Sequence, residues 1–213
     1  MSQVRFVVTL HGLGRSSASM APLSAFLRRS RPNVINYGYP SRHLSIEAQV
    51  ARLETALHCR VPPGAVVDFV GHSLGGIIAR WLCTRRDHHW SPGRLVMLGS
   101  PNQGSSLAAL VTRTVPGAHL LLGPALKQLC TLAIPALPTE VEVGIIAGAR
   151  ARVGRFSPLV SGPNDGIVSV AETTLPGARD HLTVPVIHTL LMLSPEVMRQ
   201  VLSFLDRGHF SRQ

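Results

Sequence analysis

A chain of 213 residues, 45% hydrophobic and only 15% charged, holds enough apolar material for one substantial core, which excludes a disordered protein. Its 19 Gly and 16 Pro are spread along the sequence instead of forming a linker, so residues 1–213 read as a single domain. The net charge of +10 comes from scattered basic residues, with short clusters at Arg28, Arg29 and Arg31, at Arg85 and Arg86, and at Arg150, Arg152 and Arg155. No Arg/Lys-rich helix or Cys/His finger accompanies them, which argues against nucleic acid as a partner. Such a surface is a plain self-repelling coat or a means of meeting an anionic lipid interface.

The chain opens on a strand over residues 4–10, almost wholly apolar, as a parallel strand covered on both faces should be. No apolar signal segment leads into it and no stretch is long enough to span a bilayer; a cytoplasmic chain is expected, provided it is not a processed or truncated product. His11, Gly12, Leu13 and Gly14 follow, then a helix over 19–29 that sets Met20, Leu23, Phe26 and Leu27 on one stripe. A short strand over 34–37 and a loop over 38–44 lead to a helix over 45–58, with Ile46, Val50, Leu53 and Leu57 spaced for burial.

Pro62, Pro63 and Gly64 break the chain before a strand over 66–70, in which Asp68 requires a buried partner. Residues 76–82 are helical in character, Ser91, Pro92 and Gly93 form a turn, and a strand over 95–99 follows. Strands and helices alternating at this spacing predict βαβ units and a mostly parallel sheet with helices on both faces. Residues 102–140 are apolar and helical in patches, at 107–111 and 119–132, and exceed a minimal crossover. They form a substrate wall or small lid beyond a strand's carboxyl end, or merely the helical cover of the sheet. A strand over 141–147 comes next, then apolar segments at 182–186 and 188–193, and a helix over 195–205 with Ser194 as cap and Pro195 at its first position. Cys59, Cys83 and Cys130 are odd in number, have no metal-ligand spacing and read as thiols.

The chemistry concentrates at Gly71, His72, Ser73, Leu74 and Gly75, which spell G-x-S-x-G between the strand over 66–70 and the helix after it. That context is a nucleophile elbow, where a sharp turn holds the serine in a strained backbone conformation and glycines remove colliding side chains. A serine hydroxyl attacks only when a histidine takes its proton and a carboxylate orients that histidine. On such an elbow the acid and then the base follow the serine in the chain. Asp165, within Gly162, Pro163, Asn164, Asp165 and Gly166, is the favoured acid over Glu172 and Asp180, and Asp68 precedes the serine. His188, leaving an apolar segment, is favoured over His181, which has charged neighbours. The amides of Leu74 and Leu13 are the expected oxyanion donors. His11 and His72 read as structural, His11 holding the oxyanion loop and His72 facing the sheet side of the elbow. Neither sits in a metal-ligand pattern, and the chemistry calls for no metal and no cofactor.

These motifs together resemble the α/β-hydrolase superfamily, in particular small, nearly lidless bacterial lipases and esterases. The resemblance runs over nearly the whole chain: His11 to Gly14, Asn36 to Pro40, Gly71 to Gly75, Ser100 to Ser105, Asn164 to Val168 and the late His188. It implies an α/β-hydrolase fold with nucleophile Ser73, acid Asp165, base His188 and oxyanion amides at Leu13 and Leu74. His11, Gly12, Gly71 and Gly75 would support them, and Asn102 and Gln103 would belong to the substrate wall. It also implies hydrolysis of carboxylic esters, with an acyl ester as substrate. Many such lipases are secreted and many carry a run of three glycines in the oxyanion loop; this chain has neither a visible signal nor that run, so an esterase or deacylase inside the cell is expected. Acyl transfer or thioester hydrolysis on the same residues, and a non-catalytic binding protein of the same fold, stand as alternatives. The sequence leaves the oligomeric state open.

Overall fold

The computed structural model describes residues 3–117, 120, 122–131, 134, 136–150 and 160–212. Six strands, β1 (Arg5–Leu10), β2 (Val34–Tyr37), β3 (Val66–His72), β4 (Ser91–Leu98), β5 (Val143–Gly148) and β6 (Asp180–Val184), form one sheet in the order β2-β1-β3-β4-β5-β6. Every pairing is parallel. The connection order reverses between β1 and β3, and Leu10 stands opposite Gly71 there, so the loops leaving these two strands emerge side by side. A crevice at the carboxyl ends of strands at such a switch point is where open parallel sheets bind ligands.

Seven α-helices cover the sheet among the described residues: α1 (Ala21–Arg28), α2 (Ile46–Arg60), α3 (Leu74–Thr84), α4 (Ser106–Thr114), α5 (Pro124–Gln128), α6 (Val170–Thr173) and α7 (Pro195–Arg207). Successive strand side chains point to opposite faces, which yields two cores. Val8, Leu10, Val67 and Phe69 meet α2 and α3 through Val50, Leu53 and Ile77. Val7 and Val70 meet α1 and α7 through Leu23, Leu27, Val201 and Phe204.

The first helix begins later than its hydrophobic stripe predicts. Residues Ser17–Met20 form a 3-10 turn and the α-helix starts at Ala21, because Pro22 fits only a first turn, where its missing N–H costs nothing. The expected turn at Ser91, Pro92 and Gly93 is instead the start of β4, opposite a bulge between Val67 and Phe69. Asp68 explains this extension. A Cβ on Gly93 would lie 2.3 Å from Asp68 Oδ1, so only glycine lets β4 pass over the carboxylate.

Asp68 has the partners that its burial demands. Arg5 donates to both its oxygens at 2.9 and 3.0 Å, the Arg94 amide donates to Oδ1 at 2.7 Å, and Arg31 approaches to 3.9 Å. Burial nevertheless pushes the carboxyl above its ordinary value, against the pull of these donors. Cys59, Cys83 and Cys130 are free thiols. The expected helical patch over 119–132 includes residues 119, 121 and 132, which lie outside the described residues, as do Arg152 and Arg155 of the third basic cluster. Among the described residues no helix is long and apolar enough to cross a membrane.

Replacing Asp68 by Ala strips the Arg94 amide and the Arg5 guanidinium of their acceptor and leaves Arg31 paired with Asp206 alone, so Asp68→Ala is expected to cost about 2–3 kcal/mol. Urea unfolding measures this; a loss below about 0.5 kcal/mol would mean that the cluster contributes no more than a surface pair.

Candidate active site

Ser73 sits between β3 and α3 with φ 53° and ψ −120°, and among the described residues it alone is a non-glycine with positive φ. Such a conformation costs about 1–3 kcal/mol and persists only where its surroundings enforce it. The Ser73 amide donates to Leu98 O at 2.8 Å, and its carbonyl accepts from the Gly76 amide at 3.0 Å. Gly71 and Gly75 make the turn possible by absence: a Cβ on Gly71 would lie 2.3 Å from Gly76 N, and one on Gly75 would lie 2.4 Å from Leu10 O.

Asp165 and His188, 23 residues apart in sequence, meet at 2.7 Å between Oδ2 and Nδ1. The Ile167 and Val168 amides donate to Asp165 Oδ1 at 3.0 and 2.7 Å, which orients the carboxylate. The His188 amide donates to the Asp165 carbonyl at 2.9 Å, tying the two backbones together as well. A carboxylate at Nδ1 fixes the tautomer that carries its proton there and leaves Nε2 as the acceptor. Gly99, at the end of β4, lets this pair sit close to the sheet: its φ is +56°, and a Cβ would fall 3.0 Å from Asp165 Oδ2 and 3.1 Å from His188 Nδ1. A glycine ending an apolar strand was the available signal for that role.

The loop after β1 is pinned from the far side. His11 stacks on Tyr39 with ring centroids 4.1 Å apart, donates from Nδ1 to Gly12 O at 2.9 Å and accepts the Tyr39 amide at Nε2 at 3.3 Å. Burial holds His11 below its ordinary pKa, consistent with a neutral ring that both donates and accepts. The Tyr39 hydroxyl donates to the His11 carbonyl, and the Gly14 amide donates to Ser41 Oγ at 3.0 Å. Gly12 lets the loop press on the elbow, since a Cβ there would lie 2.9 Å from His72 Nδ1 and 3.3 Å from Ser73 Cβ.

His72 differs from the sheet-side placement expected of it. Its ring faces the site, 4.6 Å from the His188 ring, and its Nε2 donates to the His188 carbonyl at 3.0 Å. It therefore positions the backbone that carries His188. Burial first, and the neighbouring His188 second, hold its pKa well below the ordinary value. Only its place inside the elbow motif hinted at this.

Ser73, His72 and His188 line one cavity of about 540 Å³, together with Leu13 from the β1 loop. Its opposite wall is apolar and comes from α4, α5 and their surroundings through Leu107, Val111, Leu122, Leu126 and Leu129. Leu74 is wholly buried, with its amide in the first turn of α3, where helical amides have no partner within the helix.

Asn102 and Gln103, expected in the substrate wall, are not among the described residues that line this cavity. Buried Asn102 donates to Thr173 O at 2.9 Å and Gln103 to Thr174 O at 3.0 Å, so both tie the loop after β4 to the end of α6. The Asn102 amide thereby satisfies a buried backbone carbonyl, while the Gln103 bond lies at the surface. Glu172 is occupied in a capping box with Ser169 and accepts the Ser106 amide at 2.6 Å, while His181 bonds Thr173 Oγ1 at 3.0 Å.

No protein-family model matches the chain, and no curated protein sequence matches it. Solved structures do. A mature lipase from Bacillus licheniformis superposes with TM-score 0.71 at 20% identity, covering 96% of this chain and 92% of that one. The chain has the α/β-hydrolase fold. A type II thioesterase from a borrelidin biosynthetic cluster gives TM-score 0.62 at 18% identity over 100% and 94% of the two chains. A metagenomic carboxyl esterase gives 0.60 at 18% identity over 90% and 67%. In this α/β-hydrolase fold the elbow, the β1 loop and the Asp165–His188 pair meet at the carboxyl edge of the sheet.

Burial lowers His11, His72, His88 and His181 from their ordinary pKa of 6.5. The unfolded chain therefore takes up protons as pH falls through about 6.5 while the fold resists them, so the associated stability is present above that pH and lost below it. Urea midpoints are expected to fall between about pH 7.5 and about pH 5.5, with a shallower slope in His72→Gln; a flat profile would contradict this.

Proposed function

We propose that the protein is a serine hydrolase that cleaves carboxylic esters through an acyl-enzyme. The observation that carries this reading is the strained Ser73 opening into the same cavity as His188, whose Nδ1 is held by Asp165 at 2.7 Å. His188 Nε2 takes the Ser73 proton as Oγ attacks the acyl carbon. Asp165 keeps the imidazole in its productive tautomer and stabilises the imidazolium that forms. The Leu13 and Leu74 amides donate to the developing oxyanion. His188 then gives its proton to the departing alcohol, and a water activated by the same histidine releases the acid and restores Ser73.

The acyl chain lies along the wall made by Leu107, Val111, Leu122 and Leu126, where about 25 cal/mol per Å² of buried apolar surface favours it. Within the 102–140 segment it is Leu107, Val111, Leu122, Leu126 and Leu129 that act as the substrate wall. Structures described as a lipase, a carboxyl esterase and a thioesterase share the fold, which supports acyl hydrolysis as the reaction class.

The substrate reaches the cavity from an anionic lipid interface. Val115, Leu120, Ile167 and Leu190 expose apolar side chains on segments that border the cavity, and Arg15 lines it on a chain of net charge +10.

Ser73→Ala is expected to abolish labelling by a fluorophosphonate and to lower hydrolysis of nitrophenyl esters by at least about 10⁴-fold. Equal rates in the variant would sink the proposal, and a folded wild-type protein that is neither labelled nor active would point to a binding protein. Parallel assays with thioesters and alcohol acceptors distinguish hydrolysis of esters from the other acyl transfers. Sedimentation with anionic vesicles should exceed that with zwitterionic ones and weaken as salt rises; binding indifferent to both would remove the lipid interface.

A further inference from the structure

A second cavity of about 450 Å³ lies away from Ser73 and, among the described residues, shares no lining residue with the first. Its walls are mostly apolar, with Ile134, Leu137, Val141, Val143 and Leu175 among them. Among the described residues the single charged one on its lining is Arg80, on the helix that begins after Ser73. Arg80 stands seven residues beyond Ser73, about 10 Å along the axis at 1.5 Å per residue.

Arg80 is 9% exposed, and its surroundings do not neutralise it. The described residues include all 11 of the chain's Asp and Glu, and none of them forms an ion pair with Arg80. Its Nη1 reaches Asn102 Oδ1 at 3.3 Å and Asn102 O at 3.5 Å, both long for N–H···O, and its buried Nε has no partner. Burial draws the guanidinium below its ordinary pKa, yet arginine keeps its charge in proteins. A buried cation with unmet donors costs several kcal/mol unless an anion arrives to pair with it.

We infer that this cavity is a binding site for a monocarboxylate with an apolar chain, such as a medium-chain fatty acid anion. The planar fork of Arg80 matches a carboxylate and offers one positive charge for one negative charge. The apolar walls suit a hydrocarbon tail, the Thr139 hydroxyl is the one other polar side chain among the described lining residues, and the volume lies in the range of small-molecule sites. The inference does not rest on the chemistry proposed for Ser73.

Octanoate is the probe, with octanol and inorganic phosphate as controls, titrated into the 213-residue chain while backbone amide resonances are followed by NMR. Octanoate is expected to shift the Leu137, Val141 and Gly177 amides saturably, with octanol binding there at least about tenfold more weakly. Arg80→Gln should weaken octanoate at these amides by about tenfold to a hundredfold, the worth of a charge-assisted hydrogen bond, while shifts around Ser73 persist. Leu175→Trp, which narrows the cavity and keeps Arg80, should weaken it as well, and carries the test if Arg80→Gln loses a folded spectrum. Shifts confined to residues around Ser73, equal binding of octanol or phosphate, affinity indifferent to both substitutions, or no saturable shift would each overturn the inference.

Discussion

The closeness with which α3 approaches β1 and β3 is the constraint on which the carboxyl edge of the sheet depends. A side chain at Gly71 would strike the Gly76 backbone, and one at Gly75 would strike the carbonyls of Leu10 and His11 at 2.4 and 2.6 Å. Those contacts force the chain through the elbow at Ser73, and the turn leaves the serine in a backbone conformation that a free chain avoids. The strain is small against the burial beside it, since Leu74, Ile77 and Ile78 at the start of α3 are essentially inaccessible. Tight packing thus enforces a posture that the serine alone would abandon.

The same device recurs along the edge. Gly12 lets the β1 loop settle against His72 and Ser73; Gly99 makes room for the Asp165 and His188 side chains; and a Cβ on Gly148, at the end of β5, would lie 2.7 Å from Asp165 Cβ. Glycines thus mark the places where separate strands bring polar groups into one space. Hydrogen bonds then fix what the glycines admit: two amides on Asp165 Oδ1, and the His72 ring on the His188 carbonyl. This is an arrangement held by rigid elements and short tethers, as a site requiring tight positioning needs.

Much of this was legible from residue order, for identifiable reasons. Strands β1 and β3 announced themselves through apolar runs, as strands inside a parallel sheet covered on both faces do, with Asp68 the exception in β3, and the edge strand β2 matches its expected span of 34–37. The sharp turn at Ser73 was legible because its motif stands between a strand and a helix. What escaped were features decided by contacts distant in sequence. Ser91, Pro92 and Gly93 carry turn chemistry, but the Asp68 carboxylate needs a strand without a side chain at that point, and β4 extends to supply it. Asn102 and Gln103 follow a strand end, as wall residues do, yet they bond the carbonyls of Thr173 and Thr174. No local pattern reveals either demand, because the partners are distant in sequence, 71 residues away for Asn102 and Gln103.

His72 completes the logic of the site through its charge state. Its Nε2–H serves the His188 carbonyl, while its Nδ1 is buried without a partner, an arrangement that costs stability. Protonating it would place a cation 4.6 Å from the His188 ring, and two like charges at that separation repel by about 4 kcal/mol at an effective dielectric near 20. In the proposed reaction His188 becomes an imidazolium beside Ser73, so a charged His72 would oppose the step that creates the nucleophile. Burial prevents this by holding His72 well below its ordinary pKa, leaving the Asp165 carboxylate as the charge in contact with the His188 ring. The orphaned nitrogen is therefore the cost of a neutral neighbour: a ring that donates one hydrogen bond to position the base and contributes no charge against it.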